Sequence, residues 1–226
     1  MYKAEDIILI HCQRKDMRIK AIAGGRLEIR APYGTPMEDA LNTVNTQQDK
    51  IRKLQVWYEQ KHQSRSYSEG SSVLRMGEEM KLSFVKDAPY TWRYQDQTLY
   101  IKQRYSALVV PVLRDFYTEQ AQYLILRARQ LQHIHGFPPV KLSKRWNKSR
   151  WGSCSSKGRI SLNCALVMAP LPVIDYVIIH EYCHLRHPNH SSDFWLLVEH
   201  YIPDYRVHYR WLKENGYRLR IAEQRA

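Results

Sequence analysis

Residues 174–190 read Ile-Asp-Tyr-Val-Ile-Ile-His-Glu-Tyr-Cys-His-Leu-Arg-His-Pro-Asn-His, an apolar run with ionisable side chains set into it. A helix built on Tyr176, Val177, Ile178 and Ile179 is a buried helix, where unpaired polar groups are strongly unfavourable. His180, Glu181 and His184 therefore need a shared reason to be there, and one metal ion supplies it. Four residues turn an α-helix by about 400°, so the imidazoles of His180 and His184 project one turn apart on the same face. Both can then reach one ion at the roughly 2.0–2.1 Å expected for zinc. Glu181 is displaced from the ion but close enough to act as general base on a zinc-bound water.

A catalytic zinc takes three protein ligands and leaves one position open. His190 is the leading third ligand: Pro188 stops the helix and Asn189 tolerates the left-handed backbone that a reversal needs. Glu199 and His187 are the rivals. The spacing of the three histidines equals that of the metzincin motif, except that His187 stands where that motif has glycine, and no methionine turn follows. Ser191 reads as the N-cap of a further helix, with Phe194, Trp195 and Val198 packing inward. Asp175, Asp193 and Asp204 are candidates for a carboxylate that orients a ligand imidazole. His133, His135, His200 and His208 read as structural or exposed, and Cys183 as a small core residue.

Upstream, residues 149–154 and 159–163 flank Ser155-Ser156-Lys157-Gly158, a hairpin signal with the glycine closing the turn. A four-residue loop sets Cys154 opposite Arg159. The strand beside the metal helix can take an extended peptide by edge addition. It also brings Arg150 or Asn163 to where an oxyanion develops, as transition-state or substrate contacts.

The rest of the chain divides by periodicity. Residues 5–31 predict a meander of three strands, and 35–62 one helix with Thr35 as N-cap, Pro36 at its first position and Glu38 completing a capping box. Residues 63–72 predict a loop, 73–102 short strands, and 106–133 a second long helix stopped at His135-Gly136-Phe137-Pro138-Pro139. This places an N-terminal strand-and-helix region at 1–104 and a catalytic region at 105–226. No apolar run reaches the ~18 residues of a membrane helix. Four cysteines without a C-x-x-C pair or an export signal point to free thiols in a reducing cytoplasm. The net charge of +13 favours anionic contacts, nucleic acid included.

Ser149-Arg150-Trp151-Gly152-Ser153-Cys154, Arg159-Ile160-Ser161-Leu162-Asn163, Pro170-Leu171-Pro172, His180-Glu181-x-x-His184, Asn189-His190 and Phe194-Trp195 together resemble the YgjP-like family of zinc metallopeptidases, related to the WLM and SprT-like zincins. The resemblance extends to Arg30-Ala31-Pro32 and covers most of the chain. It implies an α+β protein with a zincin-like core behind an N-terminal antiparallel strand-and-helix region. It also implies one Zn2+ per chain on His180, His184 and His190, with Glu181 as catalytic base. Peptide-bond hydrolysis is the leading expectation. A nucleoside triphosphate pyrophosphatase or phosphohydrolase, drawing on Lys144, Arg145, Lys148, Arg150, Lys157 and Arg159, is the second. A DNA-associated protease of the SprT-like kind is the third.

Overall fold

Leu27, Ile29 and Ala31 are fully buried and alternate with less buried neighbours, which gives their strand the middle of the first sheet. The computed structural model describes residues 1–62 and 66–221. The chain divides into two compact units, Met1–Ser64 and Arg65–Ala226.

In the first unit, β1 (Ile7–His11), β2 (Arg18–Ala21) and β3 (Leu27–Ala31) form a sheet of order β1-β3-β2. β1 runs parallel to β3 and β2 antiparallel to it. The expected meander is therefore corrected. β3 is the strand whose inward residues are all fully buried, so it takes the place with neighbours on both edges. Gly24 and Gly25 carry the β2–β3 turn at φ 75° and 71°, where glycine alone is unstrained.

The single helix expected over 35–62 is two helices, α1 (Met37–Thr46) and α2 (Gln48–His62), with a break at Gln47. The hydroxyls of Thr43 and Thr46 donate back to the carbonyls of Asp39 and Asn42, a pattern that bends helices. Thr35 does not cap: its hydroxyl donates to the Pro32 carbonyl, and Pro36 occupies the N-cap position. Ala40, Val44 and Ile51 close the core over Ile7, Ala21, Leu27 and Ile29. Residues 63–65 of the expected loop lie outside the described residues.

The second unit begins with β4 (Ser72–Arg75), β5 (Glu78–Val85), β6 (Trp92–Gln95) and β7 (Thr98–Lys102), in a sheet of order β4-β5-β7-β6. The boundary read from the sequence at 104/105 gave these strands to the N-terminal region. They belong instead with the later helices, because Leu82, Leu99 and Ile101 share one core with Leu113, Phe116 and Leu124. At the β4–β5 turn, the N–H groups of Met76 and Gly77 donate to the carbonyls of Val167 and Met168.

α3 (Val109–Gln120) and α4 (Gln122–His135) replace the expected single helix over 106–133, with the break at Ala121. Thr118 back-bonds to the Arg114 carbonyl one turn before it. Gly136 then ends α4 in the left-handed conformation, as expected. α4 carries the helix that matters most, α5 (Leu171–Cys183). Arg127 grips Asp175 through two bonds of 2.7 and 2.6 Å, and the Tyr182 hydroxyl donates to the Ala128 carbonyl at 3.2 Å.

β8 (Lys141–Arg145), β9 (Gly152–Cys154) and β10 (Arg159–Asn163) form the last sheet, in the order β8-β10-β9, so β9 is an edge. The hairpin register is one residue from expectation: Cys154 faces Ile160, because Ser155 bonds Arg159 and the turn itself holds three residues. α6 (Ser192–Tyr201) and α7 (Tyr205–Asn215) complete the unit. All four cysteines are free, and no helix of the described residues is long and apolar enough to cross a membrane.

The clamp between α4 and α5 is testable. Bonds between charged groups at half-buried sites contribute about 1–2 kcal/mol. A double-mutant cycle of Arg127→Gln and Asp175→Asn in urea denaturation is expected to return a coupling of that size. Additivity of the two substitutions refutes the clamp.

Candidate metal centre

α5 is apolar nearly all round, with Val173, Ile174, Tyr176, Val177, Ile178 and Ile179 buried. Its last turn is the exception. His180 and His184 face a common space, and the chain after His184 tightens through bonds from Leu185, Arg186 and His187 back to Tyr182 and Cys183. The Ser191 side chain then caps α6 by accepting from the Phe194 N–H, as expected from the sequence. Between these two fixed points the chain reverses and brings His190 back, its Nε2 3.1 Å from Nε2 of His180.

Nitrogens of His180, His184 and His190 all lie within 4.8 Å of one another. His184 donates from Nδ1 to the His187 carbonyl at 3.0 Å, which leaves its Nε2 for the shared space. His180 Nδ1 is buried without a hydrogen-bond partner, so packing rather than a polar bond orients this ring. Phe194 supplies much of that packing, with ring centroids 4.9, 4.5 and 4.8 Å from those of His180, His184 and His190. Trp195 stacks on His190 from the far side. Burial, followed by the neighbouring His184 and His190, holds His180 down at about 3. Burial likewise lowers His184. The His180 and His184 imidazoles are thereby held in the neutral form, the form that ligates. Three converging imidazole nitrogens fit a transition metal.

Glu181 turns to the other wall. It is 5% exposed and accepts a hydrogen bond from the Cys154 backbone N–H. A Cβ on Gly152 would sit 2.6 Å from both Cγ and Oε1 of Glu181, so β9 crosses at a distance that only glycine permits. Burial pushes the Glu181 carboxyl up to about 7, against the opposing pull of Arg150 and the Cys154 N–H. The Cys154 thiol is also pushed up, by burial and by Glu181, which keeps it protonated and unreactive.

These groups open on a cleft of about 1060 Å³ whose floor is α5, with β9 and its flanking turns on one side and Tyr209, Leu212 and Lys213 of α7 among the other lining residues. His180, Glu181, His184, His190 and Arg150 all line it. Asn163 does not. Its amide donates to the carbonyls of Asn147 and Arg150, and its Oδ1 accepts from Ala165, so it fastens the segment that carries Arg150. Glu199 pairs with Arg206 at 3.8 Å, and His187 reaches the centre only through its carbonyl. Asp175 is held by Arg127 and Asp204 by His208, while Asp193 is exposed in the first turn of α6. Sequence reasoning missed Gly152, although a glycine within a strand pattern is itself a sign of close backbone approach. It also missed Tyr209 and Lys213, which belong to no motif.

The family model described as "YgjP-like, metallopeptidase domain" matches residues 15–215. Among solved structures the chain is similar to the crystal structure of the metallopeptidase zymogen of Pyrococcus abyssi abylysin. The identity is 28%, over 42% of this chain and 95% of that one, with a TM-score of 0.36. No curated protein matches.

Two outcomes follow from the Glu181 environment. Gly152→Ala forces the carboxylate or the strand aside, at about 1–3 kcal/mol of stability. A urea melt checks the cost, and an unchanged midpoint refutes the close approach. The second outcome concerns pH in chelator-treated protein. The folded carboxyl, at about 7, keeps its proton above the ordinary 4.5, so stability falls as pH rises between these values. Glu181→Gln is therefore expected to exceed wild type by about 3 kcal/mol above pH 7 and to gain nothing below about pH 4.5. Parallel stability–pH curves for the two proteins refute it.

Proposed function

The chain belongs to the YgjP-like metallopeptidase family, and from that premise we propose that it is a zinc-dependent peptidase with His180, His184 and His190 as ligands and Glu181 as base. One observation carries this reading: three imidazoles converge beside the buried Glu181 carboxylate of α5, on an open cleft. Bound zinc supplies Lewis acidity, which polarises a carbonyl and makes a water easier to deprotonate.

The protein's own part is proton handling and orientation. Glu181, the residue after His180, can accept a proton from the attacking water and deliver it to the leaving amine. The Cys154 N–H and the Gly152 backbone hold that carboxylate in one place. Arg150, on the cleft wall, is placed to offset negative charge as it develops on the carbonyl oxygen.

The edge strand supports a peptide as substrate. The Trp151 carbonyl and the Ser155 N–H both bond towards β10. The alternation of an antiparallel pair then turns the backbone groups of Gly152 and Cys154 the other way; the Cys154 N–H is taken by Glu181, and the Gly152 groups and the Cys154 carbonyl are available to an extended chain. The four free thiols support a reducing compartment, in keeping with a cytoplasmic enzyme.

Metal analysis and peptide hydrolysis test the reading together. Wild type is expected to hold one zinc per chain and His190→Ala to lose most of it. Glu181→Gln keeps the metal while its hydrolysis of an unstructured peptide falls at least ~10²-fold. Wild-type zinc content in His190→Ala moves the third ligand elsewhere. A wild type that holds no zinc after its re-addition overturns the proposal.

A further inference from the structure

Two exposed cations line the cleft, and the one carboxylate beside them among the described lining residues is the buried Glu181. Arg150, just before β9, and Lys213, in the last turn of α7, both line it and both are exposed. Among the described residues no acidic side chain forms an ion pair with either. The only carboxylate in the lining is Glu181, which is buried against Gly152. The imbalance is rooted in the sequence: residues 120–174 contain nine Lys and Arg and no Asp or Glu.

The two cations also belong to one end of the cleft. Arg150 is followed by Trp151, and the Trp151 ring lies so close to Gly216 that a Cβ there would be 2.9 Å from Cζ2. Gly216 stands three residues after Lys213, so the Trp151–Gly216 contact draws the start of β9 to the end of α7. Asn163 fixes Arg150 through its carbonyl, so the guanidinium projects from a fastened segment. The Ser153, Ser155 and Ser156 hydroxyls along the same rim are neutral donors. Such a rim favours an incoming anion and disfavours a cation.

We propose that this end of the cleft is a carboxylate-binding subsite, in which Arg150 and Lys213 select peptides bearing an acidic side chain or a free C-terminus beside the bond to be cut. The inference rests on the peptidase reading for its occupant. The guanidinium pairs a carboxylate through two N–H groups and the ammonium adds a point charge. A peptide laid along β9 reaches this end with its backbone already held.

Fluorescence anisotropy on metal-loaded Glu181→Gln measures the subsite without turnover. The probes are labelled decamers of one sequence, amidated at the C-terminus, with paired Glu, Gln or Lys, and a Gln peptide with a free C-terminus. The Glu peptide is expected to bind about tenfold tighter than the Lys peptide at low salt. That advantage shrinks with added salt, and Lys213→Glu or Arg150→Glu in the same background removes it. Lys213→Gln and Arg150→Gln, with smaller losses, serve where a reversal fails to fold. Tighter binding conferred by the free C-terminus alone supports the subsite and assigns it to chain ends. Equal affinities, or a Glu advantage that survives both reversals, overturn the inference. So does a nucleoside triphosphate that occupies the two residues while no acidic peptide does. A wild type that cuts no peptide, with binding as expected, fails the peptidase reading alone.

Discussion

Glu181 reaches the interior because Gly152 has no Cβ, and the geometry of the second unit follows from that approach. The strand must lie within van der Waals contact of the helix for the carboxylate to be covered, and it must present a backbone N–H for the carboxylate to be satisfied. Both conditions fix β9 relative to α5. β9 is in turn fixed by its pairing with β10 and by Asn163, whose amide ties down the segment entering the strand. On the opposite side of α5, Arg127 and Tyr182 fasten the helix to α4. The carboxylate is thus held between two rigid partners and does not depend on its own rotamer preference.

The histidines are organised by a different force. Among the described residues no carboxylate orients them; aromatic packing does. Phe194 lies against all three rings, and it is where it is because Ser191 starts α6 immediately after His190. The cap, the reversal and the third imidazole are therefore one local construction. Apolar surroundings have a second effect, since they disfavour the imidazolium and keep the nitrogens available as donors.

Much of this was legible in the sequence, and the boundary of legibility is physical. The apolar run before His180 and the cap at Ser191 are local features, and each appears in the structure. The helix, however, ends at Cys183, ahead of Pro188, and the reversal to His190 is made without a left-handed Asn189. Features that depend on a distant partner were not legible. β3 lies between β1 and β2 because of burial summed over a whole sheet, which no strand reveals alone. The breaks at Gln47 and Ala121 follow threonine hydroxyls that bond backward, a signal diluted by the strong helical patterns around them. Asn163 ends the motif that faces the one with Arg150 across the hairpin and reads as a site residue, yet its amide is wholly engaged with backbone. Lys213 reads as one more surface lysine until α7 is seen to end beside Trp151.

Arg150 must satisfy two demands that pull in opposite directions. A guanidinium paired tightly with Glu181 would hold the carboxylate ionised far below neutrality and remove it from proton transfer at physiological pH. A guanidinium absent from the region would leave only the Cys154 N–H to oppose burial. The observed position is intermediate: Arg150 stays exposed, where water screens its charge, and its pull on Glu181 is outweighed by burial. The exposure that weakens its hold on Glu181 is also what leaves its N–H groups free on the cleft wall. Because the Asn163 amide grips the Arg150 carbonyl and not its side chain, the backbone is fixed while the guanidinium keeps its reach. A single residue can then moderate the Glu181 carboxyl and still meet an anion at the cleft's end.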